Sequence, residues 1–249
     1  MILDAETKHK LYEMGARDLA AAIEAQDDVA CMQLTFSERL GEAVDAAYSE
    51  FVNAKVNSAI KSAKLRFPKA DIRNLLFVDD RHLDMPTVRE LGTCAYVNRS
   101  TNVILQGFTG SGKSYLACAL MKEACRKLIS SRYIRVPDLR EEWDAAKSKP
   151  QGEAKMLRKY SKFDLLCLDE WVLDKPDAHF RSFLFELIER RYDNKSTMFG
   201  TQYPKKDWHQ RLGGGVHADS IMDRIVHNAV WLDAGDVNMR EKLGTGEGK

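Results

Sequence analysis

The first part of the chain carries apolar residues at helical spacing and lacks the alternation typical of strands. A first apolar stripe consists of Leu11, Met14, Leu19 and Ile23. A second stripe follows Thr35 and Glu38, which have the spacing of a helix capping box. This stripe continues to Ile60 and predicts one long helix of about thirty residues, or roughly 45 Å. Pro68 is expected to end that helix.

The remainder of the chain alternates short apolar runs with helical patterns. Strands are predicted over residues 102–106, 132–136, 163–170, 198–202 and 229–232. Helices are predicted between them, and a further helix over residues 84–98 precedes the first strand. Strands and helices that alternate at these lengths are typical of a parallel sheet covered on both faces. The predicted fold class is therefore α/β, with a five-stranded parallel sheet between helices.

Composition narrows the possible classes of protein. The chain has 249 residues and a formal net charge of +1, so no global field points to nucleic acid, and any basic surface must be local. Its five cysteines form no C-x-x-C pair, which argues against a disulfide framework and a zinc ribbon. The acidic start and the absence of an apolar run of about 18 residues indicate a cytoplasmic protein without a membrane partner.

A phosphate-binding loop motif occupies Gly107–Ser114, with the sequence GFTGSGKS. A predicted strand precedes it and a helical pattern follows, which is the context this motif requires. Main-chain N–H groups and the helix N-terminus would bind the phosphates of ATP, with Lys113 on the β/γ-phosphates and Ser114 on Mg²⁺. The residues expected at the nucleotide are Gly107, Phe108, Thr109, Gly110, Ser111, Gly112, Lys113, Ser114 and Tyr115.

Two acids end the apolar strand predicted downstream of this loop. Asp169 is expected to hold Mg²⁺ together with Ser114, at the sheet edge where the loop also lies. Glu170 follows directly and can act as general base on the attacking water. Gln202 ends the next strand and either points at the γ-phosphate or is an ordinary polar strand end.

Hydrolysis also needs a positive group for the charge that develops on the γ-phosphate. Arg224 is one candidate, and such a group can come from a neighbouring subunit, although a single helical arginine is more often a surface charge. Arg240 is a second candidate.

The charge of the long predicted helix changes along its length. Acids dominate its first half, and cations dominate its end and the residues that follow, namely Lys55, Lys61, Lys64, Arg66 and Lys69. One interpretation is complementarity with the helix dipole on a solvated face. The other is a contact with the backbone of duplex DNA, because phosphate contacts need only positive charge on a rigid surface.

With these residues placed, the chain resembles the IstB/DnaC-like branch of the AAA+ ATPases. The resemblance rests on the segments 102–117, 201–204 and 222–227, which read NVILQGFTGSGKSYLA, TQYP and MDRIVH. It implies an AAA+ P-loop NTPase core at residues 70–249 and a helical N-terminal domain at residues 1–69 for DNA, partner or oligomer contacts. The short stretch after the last strand predicts that no substantial C-terminal lid is present.

The resemblance also implies roles for three polar residues. Gln202 would be the sensor on the fourth core strand, and Arg224 would be an arginine finger that acts on the neighbouring subunit. Arg240 would match the second sensor, although its surroundings differ in spacing from the family pattern and lack the serine.

The function that the resemblance implies is an ATP-dependent helper of DNA transposition. Such a protein hydrolyses ATP, assembles as a homo-oligomer on duplex DNA and engages an IstA-like transposase. A DnaC-like loader of the replicative helicase is the main alternative. A small-molecule P-loop kinase is less compatible with the sequence, because no substrate insert or arginine-bearing lid is apparent. A scaffold that hardly hydrolyses is opposed by Glu170.

Overall fold

The computed structural model describes residues 3–27, 29–75, 83–235, 237–239 and 241. The chain divides into two compact units, Met1–Ser58 and Ala59–Lys249. In the described part of the chain, none of the helices combines the length and the apolar character needed to cross a bilayer. The placement of functional domains at residues 1–69 and 70–249 stays a prediction.

The first unit is helical, as its sequence pattern predicts. Helices α1 (Ala5–Glu13) and α2 (Arg17–Glu24) are separated by a turn in which Gly15 adopts a φ of 75°. Helix α3 (Phe36–Ala63, 28 residues) begins in this unit and ends in the second. Its N-terminus has the predicted capping box, in which the Thr35 amide donates to Glu38 Oε2 (2.7 Å) and the Glu38 amide donates to Thr35 Oγ1 (3.3 Å).

The second unit contains a five-stranded parallel sheet, as predicted. Its strands are β1 (Asn102–Gln106), β2 (Ser131–Arg135), β3 (Leu165–Asp169), β4 (Ser196–Thr201) and β5 (Ala229–Asp233). They are arranged in the order β2-β3-β4-β1-β5. The register pairs Arg135 with Asp169, and Gln106 with both Thr201 and Asp233. The carboxyl ends of all five strands therefore lie at one edge of the sheet.

Helices cover both faces of this sheet. They are α4 (Met85–Gly92), α5 (Ala95–Asn98), α6 (Lys113–Arg126), α7 (Val136–Lys147), α8 (Gly152–Ser161), α9 (Ala178–Arg191), α10 (Lys205–Arg211) and α11 (Gly215–Val226). Because successive strand residues point to opposite faces, Val103 and Leu105 belong to the core on the α6 side, while Ile104 belongs to the core on the other side. The strands are thus buried on both faces, which explains their continuous apolar runs.

The single helix predicted over residues 84–98 is wrong, because the structure has two helices there. Asp84 caps α4, where its carboxylate accepts from the Thr87 amide (3.3 Å). Cys94 then adopts a φ of 60°, in the left-handed region, and this interrupts the helical backbone before α5. The apolar spacing continues across the break, so periodicity alone does not reveal it.

Candidate nucleotide-binding and hydrolysis site

The phosphate-binding loop connects β1 to α6 at the carboxyl edge of the sheet. Its backbone depends on glycines with positive φ, at 90° for Gly110 and 87° for Gly112, where a Cβ atom would be strained. Helix α6 begins immediately afterwards at Lys113, so the N–H groups of its first turn and the positive end of its dipole face the loop. The sequence motif thus has the backbone geometry of an anion-binding turn.

Lys113 lies folded over this loop. Its ammonium donates to the main-chain carbonyls of Gly107 and Phe108, at 2.6 Å each. Phe108 itself is exposed, while Ser111 is buried at the base of the loop. A phosphate group bound in the loop would replace the carbonyls as partner of Lys113, because a charged oxygen is the stronger acceptor.

Asp169 and Ser114 meet next to the loop, as the sequence predicts. The Ser114 hydroxyl donates to Asp169 Oδ2 (2.6 Å), and the Tyr133 hydroxyl donates to the same oxygen (2.5 Å). Burial and the Asp169 carboxylate raise the pKa of Tyr133, so its hydroxyl stays protonated and remains a donor. The sequence did not indicate Tyr133, which lies inside β2 among apolar residues.

The Ser114 hydroxyl and the Asp169 carboxylate are suitable ligands for Mg²⁺. Magnesium prefers oxygen ligands and is usually held by one or two protein groups, with phosphate oxygens and waters completing its shell. Asp169 is 2% exposed, and its second oxygen, Oδ1, already accepts from the Glu170 amide (2.9 Å). No set of three or more His, Cys, Asp or Glu side chains suited to a metal occurs in the described ranges. The residues present therefore fit an ion that ATP brings with it.

Gly200 is required beside this carboxylate. A Cβ atom built at Gly200 on β4 would collide with Asp169 Oδ1. We expect Gly200→Ala to displace the carboxylate, to lower ATP hydrolysis at least tenfold, and to destabilise the fold by about 1–3 kcal/mol. Steady-state hydrolysis and thermal unfolding measure the two effects.

Gly41→Ala is the matched control for this substitution. A Cβ atom at Gly41 meets nothing within 4 Å, and the residue lies inside α3. Since alanine is the better helix former, this variant should unfold at an equal or higher temperature and keep its activity. Full activity in Gly200→Ala would contradict the role assigned to the Asp169 carboxylate.

Glu170 follows β3 with its backbone in the left-handed region, at a φ of 59°. Such a conformation is uncommon for a residue with a side chain, and it turns the chain sharply away from the strand. Glu170 Oε1 lies 3.3 Å from Arg66 Nη1 and 3.7 Å from Arg135 Nη1. The candidate base is therefore at the predicted edge, and two guanidinium groups, neither of them predicted as its partner, hold its carboxylate.

Gln202 immediately follows β4 and contacts the loop. Its Oε1 accepts a hydrogen bond from Thr109 Oγ1 (2.7 Å). This hydrogen bond to Oε1 also fixes the NH₂ group of the Gln202 amide, a hydrogen-bond donor, beside the loop. The structure thus brings Gln202 together with the phosphate-binding loop.

The segment after β5 also packs on the loop. The Ala234 amide donates to the Gln106 carbonyl (2.7 Å), and the Met239 amide donates to the Gly110 carbonyl (3.0 Å). A Cβ atom at Gly110 would collide with the Asn238 side chain. Arg240, the predicted second sensor, lies outside the described residues.

Arg224 is not brought to the loop of its own chain. Its main-chain carbonyl accepts from Asn102 Nδ2 (3.3 Å), at the amino end of β1, whereas the loop follows the carboxyl end. The amino and carboxyl ends of β1 are roughly 13 Å apart. The Arg224 guanidinium pairs with Glu189 on α9 and lies 5.2 Å from the ring centre of Phe185.

The cations of the predicted DNA surface fall into both units. Lys55, on the part of α3 in the first unit, lies with its ammonium 4.2 Å from the ring centre of Phe51. Lys61, Lys64, Arg66 and Lys69 are in the second unit and are all exposed. Of these four, Arg66 contacts Glu170, the candidate general base.

Comparison with known proteins assigns the chain to a family. Residues 9–245 match the family described as IstB-like ATP binding protein. The chain belongs to this family. An insertion sequence ATP-binding protein of Sinorhizobium fredii is 33% identical over 236 residues, which cover 94% of this chain and 95% of that protein. The ATP-binding protein of insertion sequence IS1162 from Pseudomonas fluorescens is 30% identical over 204 residues, or 82% of this chain and 88% of that protein.

Solved structures agree on the fold. A crystal structure of the DnaC helicase loader superimposes with a TM-score of 0.57 at 20% identity, and covers 68% of this chain and 98% of the loader chain. At that identity the likeness concerns the fold alone. Together with family membership, it confirms the prediction of an IstB-like AAA+ ATPase with an α/β P-loop NTPase core.

Proposed function

We propose that this IstB-like ATPase is an ATP-dependent helper of DNA transposition that assembles on duplex DNA and recruits a transposase. The observation that carries the proposal is the separation of Arg224 from the phosphate-binding loop within one chain. The groups proposed to bind ATP and activate water lie at the carboxyl ends of the strands. Arg224 lies at the level of their amino ends. Two copies, each offering one side, complete a hydrolysis site between them.

Each residue of the proposed site has a defined task. Lys113 and the loop N–H groups would bind the phosphates, and Ser114 and Asp169 would hold Mg²⁺, which would supply positive charge there. Glu170 accepts the proton of the attacking water, and Gln202 orients that water or the γ-phosphate. Arg224 of the next subunit stabilises the negative charge of the transition state.

Assembly would convert a weak DNA contact into a strong one. The chain as a whole is nearly neutral, and each subunit offers only a few candidate DNA cations, Lys55, Lys61, Lys64, Arg66 and Lys69. Repeating these cations along one duplex multiplies the phosphate contacts, because each further subunit binds at a high effective concentration. ATP would thus control DNA binding through the number of assembled subunits.

An IstA-like transposase is the partner we favour over a replicative helicase. The relatives that share about a third of their residues with this chain are ATP-binding proteins of insertion sequences. The likeness to the helicase loader is weaker in sequence and shows only the shared fold. The acidic first half of α3, with Glu38, Glu42, Asp45 and Glu50, is available for protein contacts.

The proposal is tested by measuring particle mass with and without duplex DNA. With ATP and Mg²⁺ at low salt, we expect oligomers on the duplex, and with ADP we expect a shift back to small species. Lys113→Ala should behave with ATP as wild type does with ADP. A protein that stays monomeric with ATP and duplex DNA at low salt would contradict ATP-dependent assembly.

A further inference from the structure

Arg224 lies in the last turn of α11, a helix that packs against α9. Its guanidinium contacts two side chains of α9, Phe185 and Glu189, and that of Tyr192, which directly follows this helix. These three positions are four and three residues apart, so they line one face of α9. The arginine and its three contacts all belong to the second unit. One face of α9 therefore supports the guanidinium of Arg224.

The polar contacts of Arg224 engage two of its three guanidinium nitrogens. The Glu189 carboxylate lies against Nε, the nitrogen nearest the backbone, and this nitrogen is buried. Nη1 donates to the Ser220 carbonyl one turn earlier in α11 (3.0 Å). Nη2 donates to no group in the described ranges. Because the five N–H donors of arginine form a rigid planar fork, fixing Nε and Nη1 leaves Nη2 oriented and available to an oxygen of another molecule.

Two aromatic rings restrain the same guanidinium. Its central carbon lies 5.2 Å from the ring centre of Phe185 and 6.0 Å from that of Tyr192, within the range of cation–π attraction. The side chains of Arg224 and Glu189 are 24% and 44% exposed. Ion pairs this exposed contribute little to stability, because water screens their charges. The contacts are therefore better suited to fixing the direction of the guanidinium than to holding the fold together.

We propose that Glu189 is a positioning residue for hydrolysis in the neighbouring subunit, where it orients Arg224 so that Nη2 meets the γ-phosphate of ATP. Glu189 itself contacts neither ATP nor the attacking water. A long arginine side chain has many rotamers, and ordering it before the neighbour arrives removes that cost from the transition state. This inference rests on the proposed function, because it concerns an arginine that acts across the subunit boundary.

The direction of the effect separates this role from a competing one. If Glu189 mainly competed with the phosphate for Arg224, removing its charge would speed hydrolysis. If Glu189 orients Arg224, removing its charge slows hydrolysis. We expect the second result, because the carboxylate lies against Nε and leaves Nη2 without an acceptor in the described part of the chain.

The test uses a mixture in which one chain supplies the phosphate-binding loop and the other supplies the arginine. The first chain carries Arg224→Ala and the second carries Lys113→Ala, so that hydrolysis needs an arginine delivered across the boundary. Glu189→Gln is then added to one chain at a time, since glutamine keeps the shape and removes the charge. The readout is the rate of ATP hydrolysis with Mg²⁺ and duplex DNA, in particles shown to contain both chains.

The expected effect is confined to one chain of the mixture. In the chain that carries Lys113→Ala, Glu189→Gln should lower the recovered rate about tenfold. In the chain that carries Arg224→Ala, it should leave the rate unchanged, because no Arg224 is present there to be oriented. Glu186→Gln, on the same helix but paired with Arg190, is the matched control and should change neither mixture. Glu189→Asp keeps the charge at a shorter reach and should recover part of the rate.

A second measurement separates positioning from ATP binding and from folding. In the otherwise unchanged protein, Glu189→Gln should lower kcat about tenfold and change the KM for ATP less than about twofold, because the loop of the other chain binds the nucleotide. The thermal unfolding temperature should stay close to that of wild type, since the ion pair is partly exposed.

The outcomes distinguish this inference from the proposed function. If the starting mixture recovers activity, and Glu189→Gln in the chain that supplies the arginine leaves that activity unchanged or raises it, the positioning role is overturned and the proposed function stands. An equal loss with Glu189→Gln in either chain would assign Glu189 to the fold and would also overturn the positioning role. A starting mixture without recovered activity would overturn the shared site, and with it both proposals.

Discussion

Glu170→Gln is expected to lower the rate of ATP hydrolysis by about a hundred- to ten-thousandfold while ATP still binds. Glutamine has nearly the same shape but cannot accept the proton of the attacking water. The phosphate-binding loop, Lys113 and Asp169 keep their contacts, so affinity for ATP should change little. Because the proposed assembly depends on bound ATP, the variant should also accumulate as a long-lived oligomer on duplex DNA.

Single-turnover hydrolysis and nucleotide binding measure the two parts of this prediction separately. Glu186→Gln is a suitable control, because Glu186 is an exposed residue of α9 that lies 3.4 Å from Arg190 and away from the loop. The control should hydrolyse ATP at the wild-type rate. Turnover in Glu170→Gln close to that of wild type would remove Glu170 from the role of general base.

Much of the fold follows from the sequence because the strands are buried on both faces. Leu165–Asp169 is fully buried, and its apolar run is visible in the sequence without any structural knowledge. The convergence of Asp169, Gln202 and the phosphate-binding loop follows as well, since the carboxyl ends of parallel strands share one edge. Their contacts, such as the hydrogen bond from Thr109 to Gln202, agree with that prediction.

Contacts that depend on packing between distant segments could not be predicted. Arg66 and Glu170 lie far apart in the sequence, and their pairing requires the segment after α3 to pack beside β2. The hydrogen bond from Tyr133 to Asp169 is hidden because Tyr133 looks like an ordinary strand residue. Gly200 gave a weak signal, since a glycine inside a strand often marks a close approach of another group.

Helix boundaries show a different limit of the sequence. Apolar spacing continues from α4 into α5, so the interruption at Cys94 leaves the period unchanged. Cys94 adopts the left-handed conformation, and Leu91 and Tyr96 on its two sides are both buried. Periodicity reports which faces are apolar and does not report such single-residue turns.

Arg224→Ala is expected to lower the rate of hydrolysis by about a thousandfold, although Arg224 lies far from the loop of its own chain. The physical reason is that the arginine would act on ATP bound by the neighbouring subunit. ATP binding by the isolated chain should remain, because no loop residue contacts Arg224. Arg190→Ala, another arginine that pairs with a glutamate on α9, should keep the wild-type rate.

Mixing two inactive variants tests the shared site most directly. Lys113→Ala lacks the loop lysine but keeps Arg224, and Arg224→Ala lacks the arginine but keeps the loop. Each alone should be inactive, and an equal mixture with ATP, Mg²⁺ and duplex DNA should recover up to about a quarter of the wild-type rate, because about one in four neighbouring pairs joins an intact loop to an intact Arg224. A mixture as inactive as its two components, in particles shown to contain both, would contradict a hydrolysis site completed by a second subunit.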